Sequence, residues 1–167
     1  MKRLLLWCFA VCVLAGSAVA QSESALGVGA RRHVTNDNFE KLPYQDGDLG
    51  YLVAYEYHNQ MAFWQLATEY APSLKSNQVD YVVTPQLNLF VKDGGFRAGI
   101  GILGSYIHND DPEWTRPYYQ FALGYEIPFG PHLGLGANAW YAFEEWSKLN
   151  KFKFSDLDYS AQLTYHF

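Results

Sequence analysis

The chain has 167 residues, of which 49% are hydrophobic and 17% are aromatic, with 13 tyrosines. Its formal net charge of −5 disfavours nucleic-acid binding, because nucleic-acid phosphates attract basic surfaces. Both cysteines, Cys8 and Cys12, lie in the first twenty residues. The remainder therefore contains no disulfide, no cysteine nucleophile and no thiolate metal site.

The first twenty residues have the three parts of a secretory signal peptide. Lys2-Arg3 is a basic start, an apolar run extends from Leu4 to about Gly16, and Ala18-Val19-Ala20 is a small-residue cleavage site. The apolar run is shorter than the roughly 20 residues of a membrane-crossing helix, which favours a cleaved signal over an uncleaved anchor. We predict a signal peptide at 1–20 and a single domain at 21–167.

The rest of the chain contains eight segments that alternate apolar and polar residues, the period-2 pattern of β-strands. Short turns with Asp, Gly or Pro alternate with longer polar loops between them. Short turns at one end and long loops at the other are typical of an outer-membrane barrel whose termini are periplasmic. The predicted strands are Leu26–His33, Gly50–Tyr57, Ala62–Tyr70, Tyr81–Phe90, Phe96–Ile107, Tyr118–Ile127, Leu133–Phe143 and Phe152–Phe167.

Charged residues inside these strands avoid the apolar face. A Lys or Arg that faces lipid at the bilayer midplane costs about 2–4 kcal/mol, so strand charges should point into a barrel. In the first strand Arg31 and Arg32 necessarily take opposite faces, and Arg32 is expected at the membrane interface. The ionised residues opposite the apolar face are Glu56, Glu69, Arg97, Glu126 and Asp158.

The pattern predicts an all-β fold, an eight-stranded antiparallel up-and-down transmembrane β-barrel. A soluble, exported β-barrel is the main alternative, and it requires the tyrosine-rich faces to turn inward. In an eight-stranded barrel, side chains fill the interior, and the inward glycines make room for bulkier polar groups. A free diffusion channel is therefore not expected.

Parity and strand direction group the interior charges into two layers. One has Arg31 with Glu69 and Asp158, and the other has Arg97 with Glu56 and Glu126, with His166 as a further candidate. An arginine can hold two carboxylates through its planar guanidinium, which offsets part of the cost of burying them. Arg97→Leu is then expected to destabilise the fold. The alternative is a wet interior in which each charge is hydrated singly. The remaining histidines are expected to be solvated at strand ends and turns: His33, His58, His108 and His132.

Three segments together resemble the small eight-stranded outer-membrane β-barrel family: Gly99–Tyr106, Pro117–Glu126 and Leu163–Phe167. The resemblance implies insertion by the barrel assembly machinery, which recognises a terminal strand that ends in an aromatic residue, here Tyr165 and Phe167. It also implies roles in envelope integrity, in adhesion or ligand contact through the loops and, in a few members, in lipid A modification.

Two enzymatic alternatives follow from this resemblance. The lipid A deacylase type carries His-x-Ser-Asn, but Ile107-His108-Asn109-Asp110 has no serine two residues after its histidine. The palmitoyltransferase type draws His, Asp and Ser from loops, and His33, Asp37 and Ser73 or Ser76 are the corresponding candidates. We expect no catalytic residue.

Acidic clusters in the first and third long loops have the oxygen ligands that calcium uses. They lack the Asp-x-Asp-x-Asp-Gly spacing of a calcium loop, so solvated loop charge is the favoured interpretation, with no metal and no cofactor. The clusters are Asp37, Glu40, Asp46 and Asp48, and Asp110, Asp111 and Glu113.

Four lysines form a basic set at the long-loop end, and they either contact lipopolysaccharide phosphates or protect strand edges: Lys75, Lys148, Lys151 and Lys153. The function predicted from the sequence is that of a non-enzymatic, monomeric outer-membrane barrel that supports envelope integrity and presents loops for adhesion or ligand contact. A lipid A-modifying acyl hydrolase or acyltransferase is the first alternative, and a narrow pore is the second. The expected partners are outer-membrane lipid, lipopolysaccharide and the barrel assembly machinery.

Overall fold

A computed structural model of the chain describes residues 23–35, 42–72, 74–75 and 79–167, with only the backbone of Lys151. The predicted signal peptide at 1–20 lies outside the described residues. Within those ranges no helix is long and apolar enough to cross a membrane.

The regular secondary structure of the described chain is almost entirely β-strand. Two short 3-10 turns, Trp146–Lys151 and Phe154–Asp156, interrupt the last long connection. The strands are β1 (Glu23–Arg32), β2 (Leu49–Asn59), β3 (Ala62–Ala71), β4 (Tyr81–Asp93), β5 (Phe96–Leu103), β6 (Tyr106–His108), β7 (Glu113–Trp114), β8 (Tyr118–Pro128), β9 (Leu133–Phe143) and β10 (Asp158–His166).

These strands close into an antiparallel barrel. Each long strand pairs with its neighbours along the chain, and β1 pairs with β10, which closes the barrel. Strand β6 continues the barrel strand begun by β5, because both pair with β4. The barrel therefore has eight strands, and the short β7 pairs only with β6. The predicted fold is confirmed. We call the end with the tight turns, where Glu23 and Phe167 lie, the turn end, and the opposite end the loop end. Loops 1 to 4 are residues 33–48, 72–80, 109–117 and 144–157.

Six of the eight predicted strands match the structure to within three residues at each end, and the other two differ further. The predicted strand Phe96–Ile107 is interrupted at residues 104–105, opposite Pro85, which has no N–H to donate to the ladder. The predicted start of the last strand at Phe152 is wrong, since β10 begins at Asp158. The apolar Phe152 and Phe154 have the parity of the inward Asp158, so the alternation changes phase before β10 begins. Phe152 instead packs edge-on against Tyr141 with ring centroids 4.8 Å apart.

The apolar faces of the strands point away from the barrel axis. Leu123 and Leu163 are 63% and 43% exposed, whereas Gln65 and Gln120 are at most 1% exposed. The soluble-barrel alternative is therefore wrong, because it required the opposite arrangement. An outward apolar wall around a polar interior is what a lipid-facing barrel needs.

The interior is packed with side chains, and glycines provide part of the space. A Cβ on Gly124 would lie 2.0 Å from Asn138 Oδ1, and one on Gly27 would lie 2.1 Å from Gln162 Nε2. An inward aromatic cluster, which the sequence pattern did not predict, fills part of the same core: Phe63, Phe90 and Trp140, with Ala122. The eight-stranded interior is thus shared by aromatic and polar side chains.

Candidate functional site at the loop end of the barrel

Arg31 is the centre of a buried charge cluster at the loop end. Its Nε and Nη2 lie 3.0 and 2.8 Å from Asp158 Oδ2, and its Nη1 donates to Gln120 Oε1 at 3.1 Å. Glu69 Oε2 lies 3.7 Å from the same Nη1. The guanidinium also lies over the Trp140 ring, 5.1 Å from its centroid. One cation therefore serves two carboxylates in a site closed to solvent.

His33 joins this cluster from the first position after β1. Its Nδ1 lies 3.0 Å from Asp158 Oδ2, and its Nε2 contacts Glu69 Oε1. Burial alone lowers the pKa of His33, but the charges and hydrogen bonds of Glu69 and Asp158 outweigh burial and raise the pKa to about 9. A protonated ring donates from both nitrogens, so His33 is a second cation between the two acids.

Loop 1 covers the cluster. The Tyr44 ring stacks on the His33 ring with centroids 3.7 Å apart, and its hydroxyl lies 3.4 Å from Thr84 Oγ1. Burial raises the pKa of the Tyr44 phenol well above its usual value. Asp48 ties loop 1 to loop 2, since its carboxylate accepts the backbone N–H of Gln45 at 2.8 Å and that of Lys75 at 3.1 Å.

A second cluster lies at the turn end, around Arg97. The guanidinium contacts Glu126 and lies 3.6 Å from Glu56 Oε1. His58 Nε2 lies 2.8 Å from Glu56 Oε2, and His166 Nε2 lies 3.4 Å from Glu126 Oε1. The interior residues singled out from the sequence therefore form two separate groups, one at each end.

A chain of side-chain amides connects the two clusters through the core. Gln65 donates to Glu56 at 2.8 Å, and Asn88 donates to Gln65 at 3.0 Å. Gln120 donates to Asn88 and to Gln86 at 2.8 and 3.0 Å, and Gln86 donates to Glu69 at 3.2 Å. Buried amides must be hydrogen-bonded to avoid a desolvation cost, and here each amide forms hydrogen bonds with the next one along the chain of side chains. These hydrogen bonds join the charge clusters at the two ends of the barrel in one network.

The sequence interpretation of two histidines was wrong. His33 and His58 were expected to be solvated, yet each is 4% exposed and bonded to a buried carboxylate. His33 follows β1 with the inward parity of Arg31, and His58 has the inward parity of Glu56. Extending the parity test to the ends of the strands would have found both. His132 is exposed, as expected.

The structure describes only some of the residues considered as enzymatic or metal-binding candidates. Asp37, Glu40, Ser73 and Ser76 lie outside the described residues. Both ring nitrogens of His33 face carboxylates, those of Asp158 and Glu69. In the described part of the chain, no group of three or more His, Cys, Asp or Glu is arranged to hold a metal ion.

The four lysines belong to two different loops at the loop end. Lys75 extends its ammonium to the backbone oxygen of Asp46, against loop 1. Lys148 and Lys153 belong to loop 4, where Lys148 Nζ donates to Glu144 Oε2 at 3.0 Å. The side chain of Lys151 lies outside what the structure describes.

The carboxy-terminal aromatics face outward at the turn end. Tyr165 and Phe167 are 47% and 57% exposed, with their rings edge-on and centroids 5.7 Å apart. The His132 ring stacks on Tyr165 at 5.7 Å. An assembly signal at these two residues remains a prediction.

The stability of the barrel should depend on the protonation of His33. Because folding raises its pKa from 6.5 to about 9, its stabilisation is complete below about pH 6.5, declines as the pH rises and is lost above about pH 9. Urea unfolding of the vesicle-inserted protein across this range should show the decline. His33→Gln should remove this component of the pH dependence, whereas His132→Gln, on an exposed turn, should retain it; equal profiles for all three proteins would contradict the assignment.

No protein-family model and no curated protein matches this sequence. Among solved structures, the N-terminal β-barrel domain of Pseudomonas aeruginosa OprF superposes with a TM-score of 0.59 at 8% identity, over 87% of this chain and 97% of that one. Neisserial surface protein A superposes with a TM-score of 0.47 at 8% identity, over 88% of this chain and 95% of that one. The attachment invasion locus protein Ail of Yersinia pestis superposes with a TM-score of 0.47 at 15% identity, over 89% of this chain and 100% of that one. Together with the closed, outwardly apolar barrel described above, the OprF similarity shows that this chain has the fold of the small eight-stranded outer-membrane β-barrels.

Proposed function

We propose that this chain is a non-enzymatic integral barrel of a bacterial outer membrane that supports envelope integrity and presents its loops for adhesion or ligand contact. The observation that carries the proposal is the continuous outward apolar wall, with Val53, Leu66 and Leu123 all about 60% exposed. A soluble protein that exposed such a wall would aggregate, whereas acyl chains would cover it.

The packed interior supports a mechanical role. The aromatic cluster and the amide network occupy the core, and charge clusters lie at both ends. Such a barrel resists deformation because most of its interior polar groups are bonded to one another rather than to mobile solvent. Planar-bilayer conductance tests the pore alternative, and stable single-channel steps would replace the proposed role with that of a pore.

The proposed orientation has the termini and tight turns in the periplasm and the long loops outside the cell. It is supported by the short turns at the end where β1 begins at Glu23 and the chain ends at Phe167. Tyr165 and Phe167 would then form the terminal signal for the barrel assembly machinery. The proposed partners are outer-membrane lipid and lipopolysaccharide, with the protein as a monomer.

Cell fractionation and an envelope challenge test the function directly. The protein should fractionate with the outer membrane and migrate differently on gels with and without boiling. A strain from which the gene is deleted should be sensitive to detergent, and restoring the gene should lower that sensitivity. Mass spectrometry of lipid A from the same strains tests the enzymatic alternative, and a change in acylation that depends on the gene would overturn the non-enzymatic assignment.

A charge on the lipid-facing wall should interfere with membrane insertion. Leu123 lies at the centre of β8 and is 63% exposed, so Leu123→Arg should cost about 2–4 kcal/mol of membrane-inserted stability. Phe129→Arg, in the tight turn at the end of the barrel, is the matched control and should cost about 0–1 kcal/mol. Unfolding in lipid vesicles measures both, and equal costs would argue against a transmembrane position for the wall.

A further inference from the structure

Loop 4 folds back onto the outside of the barrel instead of extending away from it. The Trp146 ring lies 5.2 Å from Phe143, 5.6 Å from Tyr119 and 6.1 Å from Phe121, measured between ring centroids. Phe143 has the outward parity of β9, yet it is fully buried. The loop therefore covers part of the wall near the loop end.

The cover leaves a new apolar surface of its own. Trp146, Phe152 and Phe154 are 53%, 42% and 79% exposed. Aromatic side chains at the end of a membrane barrel are favoured at the level of the lipid headgroups, where one part of the ring is apolar and another meets polar groups. This aromatic shelf, defined as Trp146, Phe152 and Phe154, adds contact area for lipid on one side of the barrel.

A polar cleft lies between loops 3 and 4. It has a volume of about 580 Å³, and its walls include Trp114, Arg116, Pro117 and Lys148. Trp114 is 60% exposed and offers a ring face to a ligand. Two cations and an aromatic ring in one cleft suit a ligand with both phosphate and sugar groups.

Two carboxylates also line the cleft, and they limit which anions it can accept. Glu144 accepts a hydrogen bond from Lys148 Nζ at 3.0 Å, and Glu145 accepts one from the Ser147 hydroxyl at 3.1 Å. A bare anion gains little beside these acids, whereas the hydroxyl groups of a sugar can donate to them. The lining therefore favours a phosphorylated sugar over free phosphate.

The cleft and the lipid-facing wall are continuous along β8. Pro117 lines the cleft and is followed, at the period-2 spacing of one strand face, by Tyr119, Phe121 and Leu123. Trp146 packs on Tyr119 and Phe121, and Leu123 is 63% exposed. The surface therefore changes from cationic to aromatic to aliphatic towards the middle of the barrel, the polarity profile of a single lipid from headgroup to acyl chain.

We infer that loops 3 and 4 form a binding site for a phosphorylated glycolipid of the outer leaflet. Arg116 and Lys148 bind the phosphate, Trp114 packs on the sugar, and the acyl chains follow Trp146 towards Leu123. This site rests on the proposed outer-membrane position. It excludes Lys75, which belongs to loop 2 and contacts loop 1, from the lipid contact predicted for the lysine set.

Native mass spectrometry of the refolded, detergent-solubilised full chain with bisphosphorylated lipid A tests the site. Arg116→Gln and Lys148→Gln should each reduce the bound fraction about fivefold, the effect of one cation near an anionic lipid surface. Trp146→Leu should weaken binding of both phosphorylated and dephosphorylated lipid A, because it removes acyl-chain contact. Inorganic phosphate at millimolar concentration should not displace the lipid.

Matched substitutions outside the site serve as controls. Lys75→Gln, at the same end of the barrel, and Phe96→Leu, an outward aromatic of β5 next to a tight turn, should bind lipid A as the unmodified protein does. Unchanged binding by Arg116→Gln and Lys148→Gln, or an equal loss with Lys75→Gln, would overturn the site. Heat-modifiability and vesicle insertion of each variant are measured separately, so failure of the barrel to insert is distinguished from failure of this site.

Discussion

Arg31→Leu should lower the free energy of unfolding by about 3–5 kcal/mol, the cost of removing one partner from a buried ion pair. Arg31 is 3% exposed and lies within 2.8 Å of Asp158 and 3.7 Å of Glu69. Leucine fills part of the volume of the arginine side chain. Among the contacts that the structure describes, His33 is then the only cation left near the two carboxylates. The loss comes mainly from carboxylates that stay buried without their charge partner.

Urea unfolding in vesicles, followed by heat-modifiability on gels, measures this loss. Adding Asp158→Asn to Arg31→Leu should recover part of the stability, because the second change removes one of the stranded charges. Arg32→Leu is the matched control: the neighbouring arginine is exposed on the opposite face of β1, and its loss should change stability by no more than about 0.5 kcal/mol. Similar losses for the two single variants would show that position 31 is not a buried charge site.

The barrel could be predicted from sequence because strand parity is a local property. A period-2 strand has only two faces, so the positions of Glu56, Glu69 and Arg97 relative to their apolar neighbours are enough to assign inside and outside. Strand order followed from the alternation of short turns and long loops. Neither step required knowledge of which distant residues touch.

The contents of the interior were harder to predict because aromatic residues have two uses in such a barrel. Phe63 and Phe90 stack inside it with centroids 4.8 Å apart, whereas Trp64 and Leu89 are their outward neighbours. When phenylalanine and tryptophan are taken as markers of the lipid face, inward aromatics are missed. Only the parity of their charged neighbours distinguishes the two uses.

Periodicity alone could not give the fold of loop 4. Phe152 and Phe154 alternate with polar residues as in a strand, but they share the parity of the inward residues of β10, so the pattern changes phase at Ser155-Asp156. The change of phase indicates a break in the strand, whereas the contact of Phe152 with Tyr141 on β9 appears only in the structure. Tertiary packing of this kind routinely overrides β-propensity, which mainly reflects how well a side chain fits its neighbours.

Trp140→Ala should be the most damaging change in the aromatic cluster, at about 3–5 kcal/mol. The ring is 2% exposed, lies edge-on to Phe90 at 6.0 Å, and supports the Arg31 guanidinium above it. Its Nε1 donates to Ser160 Oγ at 2.8 Å, so alanine leaves both a cavity and a hydroxyl without that donor.

Trp140→Phe separates the two contributions, because it retains most of the apolar volume and removes the hydrogen bond. It should cost about 1 kcal/mol for the lost bond, plus a smaller packing loss. Gel heat-modifiability as a function of temperature gives the comparison without relying on tryptophan fluorescence, which these substitutions alter. If Trp140→Phe were as damaging as Trp140→Ala, the hydrogen bond to Ser160 would outweigh packing, and the stability of the core would depend on the polar network more than on its aromatic cluster.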